Sequence, residues 1–285
     1  MRLPPSMLLT CLVPLLVIGC FSEEEPGEVA AQPAWSGHPD ARPVVGDFDG
    51  DGHLDVLIVE ATGGLTLFKN TADGGLSDLT ERAGLAGVRE VERAVALDAD
   101  ADGDLDLGLV RRDASGATTD QLFRQTARGI FELGDEPWSS SDFPEGDPGD
   151  VATGDLNADG ARDRVIASAA SLDDLVELGT PPKSWVTLRL EDAEGSRTPF
   201  GARVRLTCVD RSGERRGYER AFDATAGSAP ELQLDLQGAH RITSLEVTWP
   251  NATHPEPFLD ARVNHIYLLR QSTTTASPIL QPPRN

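Results

Sequence analysis

Cysteine, histidine and basic side chains are scarce in this chain of 285 residues, and each shortage removes a class of function. The three cysteines are Cys11, Cys20 and Cys208. Two of them lie in a targeting segment, so the disulfide framework that staples many exported domains is not available. Cys208 falls in phase with Val204 and Leu206 and reads as a small buried apolar residue, not a nucleophile. The histidines, at 38, 53, 240, 254 and 265, are scattered. None is paired at metal-ligand spacing and no Gly-x-Ser-x-Gly elbow occurs, so no catalytic constellation is legible. Lys and Arg number 25 against 47 Asp and Glu, for a net charge of -22, which argues against nucleic acid as a partner. The longest mostly apolar run, Met7 to Ile18, is broken by Thr10, Cys11 and Pro14 and is too short to span a membrane.

Acid is what the chain has, and its best-spaced acids form one nine-residue pattern written three times. The copies are Asp47-Phe48-Asp49-Gly50-Asp51-Gly52-His53-Leu54-Asp55, Asp98-Ala99-Asp100-Ala101-Asp102-Gly103-Asp104-Leu105-Asp106 and Asp155-Leu156-Asn157-Ala158-Asp159-Gly160-Ala161-Arg162-Asp163. Each has a side-chain oxygen at positions 1, 3, 5 and 9 and Gly at 6. Alternate side chains of a tight loop can converge on one point, and Ca2+ takes six to eight hard oxygen ligands. The expected ligands are therefore Asp47, Asp49, Asp51 and Asp55; Asp98, Asp100, Asp102 and Asp106; and Asp155, Asn157, Asp159 and Asp163. Position 7, which is His53, Asp104 or Ala161, contributes a backbone carbonyl. Asn157 replaces an acid in the third loop, and Arg162 and Arg164 lie beside it, so that loop is expected to hold calcium most weakly.

An EF-hand opens in the same way but needs a bidentate Glu at position 12, where this chain has Ile58, Leu109 and Ile166. Those residues sit in short branched apolar runs that read as buried strands, so each loop joins two strands. The loops start at 47, 98 and 155, and a period near 50 suggests four-stranded propeller blades. Gly64 to Asn70 reads as the third strand of the first unit, and Leu76 to Leu85 closes it. The third unit fades after one strand. Trp138 and the acidic stretch 142–150 read as a solvated loop ahead of a binding loop.

The block from Val45 to Val56 resembles the FG-GAP/VCBS repeat of integrin-type propellers. Leu67-Phe68-Lys69-Asn70 and Asp78-Leu79-Thr80-Glu81-Arg82-Ala83-Gly84-Leu85 resemble the matching part of the cartilage acidic protein group. The resemblance implies one calcium ion per loop, held at the positions named above. Three repeats are fewer than a closed propeller uses. The expected repeat region is 44–180, an incomplete propeller.

After Thr180-Pro181-Pro182-Lys183 the pattern becomes period-2 alternation. Val186, Leu188 and Leu190 share a face, as do Leu232, Leu234 and Leu236, and Leu245, Val247 and Trp249. Such runs predict antiparallel strands packed as a sandwich over residues 181–270. Trp185-Val186-Thr187-Leu188, Gly201-Ala202-Arg203-Val204, Leu245 to Pro250 and Asn264-His265-Ile266-Tyr267 resemble the ASPIC/UnbV domain. That likeness implies an architecture and no reaction. No calcium loop lies in this part, so residues 181–285 on their own are expected to melt at the same temperature with or without calcium. Residues 271–285 read as a disordered polar tail.

The N-terminal region divides into a signal segment, 1–19, and an acidic, Pro-rich tether, 20–43. Val17-Ile18-Gly19-Cys20 resembles the lipobox of bacterial lipoprotein precursors. The resemblance implies cleavage before Cys20, lipid on that residue and a place in the bacterial cell envelope. Phe21, standing where an inner-membrane retention Asp would be, points to the outer membrane, periplasmic or surface-exposed. Several acyl chains together anchor stably where one is marginal. The leading functional expectation is a non-enzymatic, lipid-anchored, calcium-binding module for protein or glycan contact. The alternative is an accessory or catalytic domain of a hydrolase acting on surface polysaccharide or lipid, since the fold hosts both.

Overall fold

The computed structural model describes residues 37–71, 75–135, 137–140, 149, 151–222, 229–250 and 252–280. Cys20, the signal segment, most of the tether and most of the acidic stretch 142–150 lie outside them. No α-helix occurs among the described residues, and none therefore is long and apolar enough to cross a membrane. The described residues are all-β, in five sheets of which none closes into a barrel.

The first repeat is an antiparallel meander of β1 (Arg42–Gly46), β2 (Asp55–Val59), β3 (Leu65–Asn70) and β4 (Leu76–Asp78). The second repeats it with β5 (Val91–Leu97), β6 (Asp106–Arg112), β7 (Thr118–Ala127) and β8 (Ile130–Leu133). The third has β9 (Val151–Gly154), β10 (Asp163–Ile166) and β11 (Val176–Glu177). These sheets are consistent with blades of a partial propeller. The first sheet is the middle layer. Leu57 and Val59 pack with Leu107 and Leu109 of the second sheet, while Val56 and Ile58 pack with Ala152 and Val165 of the third. Side chains alternate across a strand, so burial on both faces requires β2 to be apolar throughout, as it is from Val56 to Val59. Of the closing stretch Leu76 to Leu85, only Leu76–Asp78 is strand. Asp78 Oδ1 accepts the Thr80 N–H at 2.8 Å and starts a turn, which leaves Ala83 and Leu85 to fill the core between the first two sheets.

The C-terminal part is a sandwich of two four-stranded sheets. Its strands are β12 (Trp185–Glu191), β13 (Arg203–Val209), β14 (Arg215–Ala221), β15 (Leu232–Asp235), β16 (Arg241–Thr248), β17 (Glu256–Pro257), β18 (His265–Arg270) and β19 (Ser277–Leu280). One sheet runs β15-β12-β18-β19 and the other β14-β13-β16-β17. The residues expected to share faces meet in one core, with Val186, Leu188, Leu206, Cys208, Leu245, Val247 and Trp249 all buried. Two expectations are corrected. β12 and β18 pair in parallel, from Val186 with His265 to Glu191 with Arg270, where an antiparallel arrangement was read. The stretch read as a disordered tail supplies β19, which pairs with β18 and is preceded by buried Ala276.

Candidate metal centre

The three nine-residue loops join β1 to β2, β5 to β6 and β9 to β10, and they fold by the same set of hydrogen bonds. The position-1 carboxylate accepts the N–H of the Gly at position 6: Asp47 from Gly52 at 3.1 Å, Asp98 from Gly103 at 3.2 Å and Asp155 from Gly160 at 2.9 Å. Position 3 accepts from position 5 and position 5 from position 7, as in Asp51 accepting from His53 at 2.8 Å. Such side-chain to backbone bonds make the turn and draw its oxygens inward. Position 4 takes a positive φ in each copy, at Gly50, Ala101 and Ala158.

Position 9 does a different job. Asp55, Asp106 and Asp163 each accept the N–H of position 2, at 3.0, 3.0 and 2.8 Å, through one oxygen. Through the other they accept from Asn70, Gln125 and Gly179, at 2.9, 2.8 and 2.8 Å. All three are buried, so this carboxylate ties the loop to the blade's third strand in the first two repeats and to Gly179, just past β11, in the third.

Oxygen donors do converge. Asp47, Asp49 and Asp55 bring ligand atoms within 4.8 Å of one another, and so do Asp98, Asp100 and Asp102. In both loops the second oxygen of position 1, Asp47 Oδ1 and Asp98 Oδ1, is buried and accepts no hydrogen bond. A buried carboxylate oxygen without a donor costs free energy that a cation would recover. Burial pushes Asp47 up from the ordinary carboxylate range, Asp98 up to about 6 and Asp55 up to about 7. These donors are hard oxygens, the set that suits Ca2+, which would screen the clustered carboxylates and cross-link the loop. The third loop differs. Asp155 Oδ1 accepts the Asp159 N–H at 3.0 Å, Asn157 donates to Asp159 at 2.9 Å, and Gln233 donates to the carbonyl of Ala161 at 3.2 Å. Burial, with the neighbouring Glu231, pushes Asp155 up to about 7. Arg162 reaches Gln233 and Arg164 reaches Glu177, so neither cation sits on the loop acids.

The sequence did not reveal that the C-terminal sandwich lies on the loops. Arg189 of β12 bonds Glu231 at 3.2 Å, approaches Asp47 at 3.4 Å and donates to the carbonyl of Gly52 at 3.1 Å. The Arg197 N–H donates to Asp98 at 2.9 Å, and Glu231 accepts the Asp155 N–H at 3.2 Å. A Cβ on Gly160 would stand 2.0 Å from the Trp185 ring, so this Gly serves packing as well as the turn. Beside the first loop, Asp47, Asp51, Arg189, Arg197 and Arg270 help line a cavity of about 250 Å³.

Residues 47–109 match the FG-GAP-like repeat family. The matched stretch takes in the first loop, β2 to β5, the second loop and the first part of β6. That repeat is the unit of propeller-type binding modules, and it commonly carries calcium. No curated protein matches the chain. The other residues weighed from sequence have packing roles. His265 Nδ1 donates to the Val263 carbonyl at 2.8 Å and its ring stacks on Tyr267. Trp249 is buried and donates to Glu256 at 3.0 Å. Trp138 lies against Gly108, where any Cβ would overlap its ring.

Proposed function

We propose that this protein is a non-enzymatic, calcium-binding module of the bacterial cell envelope, held to the outer membrane by lipid on Cys20 and used to bind a protein or glycan. The observation that carries the calcium reading is the pair of buried, donorless oxygens, Asp47 Oδ1 and Asp98 Oδ1, each at the head of a converging carboxylate set. The repeat match supports a binding module. Anchoring rests on the lipobox resemblance of Val17 to Cys20, and the assignment of 181–270 to the ASPIC/UnbV group rests on its sequence likeness.

Calorimetry of the full chain tests the calcium reading. Saturable Ca2+ uptake that weakens in Asp98→Ala is expected, and no uptake by the wild type refutes it. Recovery of a partner from envelope extract in calcium, lost in EGTA, is expected of the binding role. Labelling with a clickable fatty acid, present on the wild type and absent from Cys20→Ser, checks the anchor.

A further inference from the structure

The three loops invite a comparison at one further position. The residue whose N–H ties to the position-9 carboxylate is Asn70, Gln125 or Gly179, so Lys69, Arg124 and Leu178 occupy equivalent places. In the first repeat Lys69 Nζ bonds both Asp49 and Asp51, the latter at 2.5 Å. In the second, Arg124 reaches Asp100 at 2.5 Å and Asp106 at 2.8 Å. In the third, Leu178 is 60 % exposed, and no basic side chain pairs with a loop acid among the described residues. The cation is present where the loop carries four or five acids and missing where it carries three. It is also present where the position-1 oxygen is left without a donor and missing where a backbone N–H satisfies it.

Both basic side chains are held close, at 24 % and 17 % exposure, on the strand that the position-9 carboxylate ties to the loop. A positive charge fixed this near several carboxylates screens their mutual repulsion. It also occupies the oxygens that a divalent ion needs, since Asp49, Asp51 and Asp100 belong to the expected ligand sets. We propose that Lys69 and Arg124 are tethered counter-ions that stand in for calcium at the first two loops, so that metal uptake there is an exchange in which the side chain swings out to solvent. This rests on the calcium reading above. It follows that the two side chains stabilise the metal-free loops and weaken their calcium affinity, and the third loop has no such competitor.

The opposite signs of these two effects make the test specific. Lys69→Met and Arg124→Met keep the aliphatic stem and remove the charge. In the full chain each should tighten one calorimetric calcium step about fivefold, the effect of a partly exposed charge pair. Each should also lower the melting temperature in EGTA while leaving it near the wild-type value in millimolar calcium. Lys69→Arg, which restores the charge, should return both readouts to wild type. A variant too unstable to fold in EGTA but folded in calcium agrees with the proposal. Wild-type uptake with unchanged or weaker affinity in both Met variants overturns it and leaves the calcium reading standing. Absence of uptake in the wild type and in every variant overturns both.

Discussion

Asp163→Asn separates the two jobs that a position-9 carboxylate can do. Asp163 is 0 % exposed and accepts the Leu156 and Gly179 N–H groups through different oxygens, each at 2.8 Å. An Asn has one oxygen and one NH2, so whichever way it turns, one backbone N–H faces a donor. A buried N–H left without an acceptor costs about 1–3 kcal/mol. Burial raises the pKa of Asp163, so its ionised form already carries a desolvation penalty and the net loss should sit near the middle, about 2 kcal/mol. In a chain of this size that lowers Tm by roughly 4–8 °C. Melting at pH 8 in EGTA is the decisive measurement, because no metal contributes there. Asp159→Asn is the control. Its Oδ1 can still accept the Ala161 N–H, and it loses only the part-exposed bond from Asn157, so its EGTA melting should fall by less than that of Asp163→Asn. A wild-type Tm for Asp163→Asn in EGTA, with loss only in calcium, would show position 9 to be purely a metal ligand and refute the reasoning.

Calcium itself should raise Tm, since an ion that binds only the folded state adds about 2.7 kcal/mol per site at a hundredfold excess over Kd; equal scans in EGTA and millimolar calcium would refute structural sites. Asp98, Asp55 and Asp155 titrate near 6, 7 and 7 in the folded chain, above the ordinary 3.8, so the metal-free fold binds protons more tightly than the unfolded chain. Their contribution to stability is therefore full near pH 4 and lost as pH rises through about 7. EGTA melting curves from pH 5 to 8 should show Tm falling while the gap to the calcium curve widens, and parallel curves would contradict this. Gly160→Ala should cost at least about 2 kcal/mol, because its Cβ would enter the Trp185 ring and its φ is +83°. Gly50→Ala, with 3.6 Å to its nearest neighbour, should cost about 1–2 kcal/mol from backbone strain alone, and chemical denaturation of the pair checks the order.

The loops, the blades and the alternating C-terminal strands were legible because each rests on a local rule. Side-chain oxygens at 1, 3, 5 and 9 with Gly at 6 make a turn by their own hydrogen bonds, and Val56 to Val59 can only be a strand buried on both faces. The parallel pairing of β12 with β18 was not legible, because period 2 fixes which side chains share a face and says nothing of direction. β19 was missed because Ser277-Pro278-Ile279-Leu280 is too short to show a period. The counter-ion role of Lys69 and Arg124 was visible in part, since Leu67-Phe68-Lys69-Asn70 and Leu122-Phe123-Arg124-Gln125 align. What it lacked was the fold that sets them beside their loops.

The junction between the two halves couples the C-terminal part, which holds no calcium loop of its own, to the loops of the repeats. The first loop and its counterpart in the second are each gripped from the sandwich at position 1, Asp47 by Arg189 and Asp98 by the Arg197 N–H. The third is gripped through Asp155 N–H by Glu231, which is itself paired with Arg189. Asn70 adds a tie between the first and third repeats by donating to the carbonyl of Leu156 at 2.7 Å. A loop that opens when its carboxylates repel one another therefore takes Asp47 and the Gly52 carbonyl from Arg189, or the Asp155 N–H from Glu231, and leaves that pair, at 12 % and 3 % exposure, with fewer partners. A buried polar group that loses such a partner costs about 1–3 kcal/mol. Disorder at the loops is thus carried into β12 and the strand beside it, and the chain from 37 to 280 should respond to calcium as one cooperative unit.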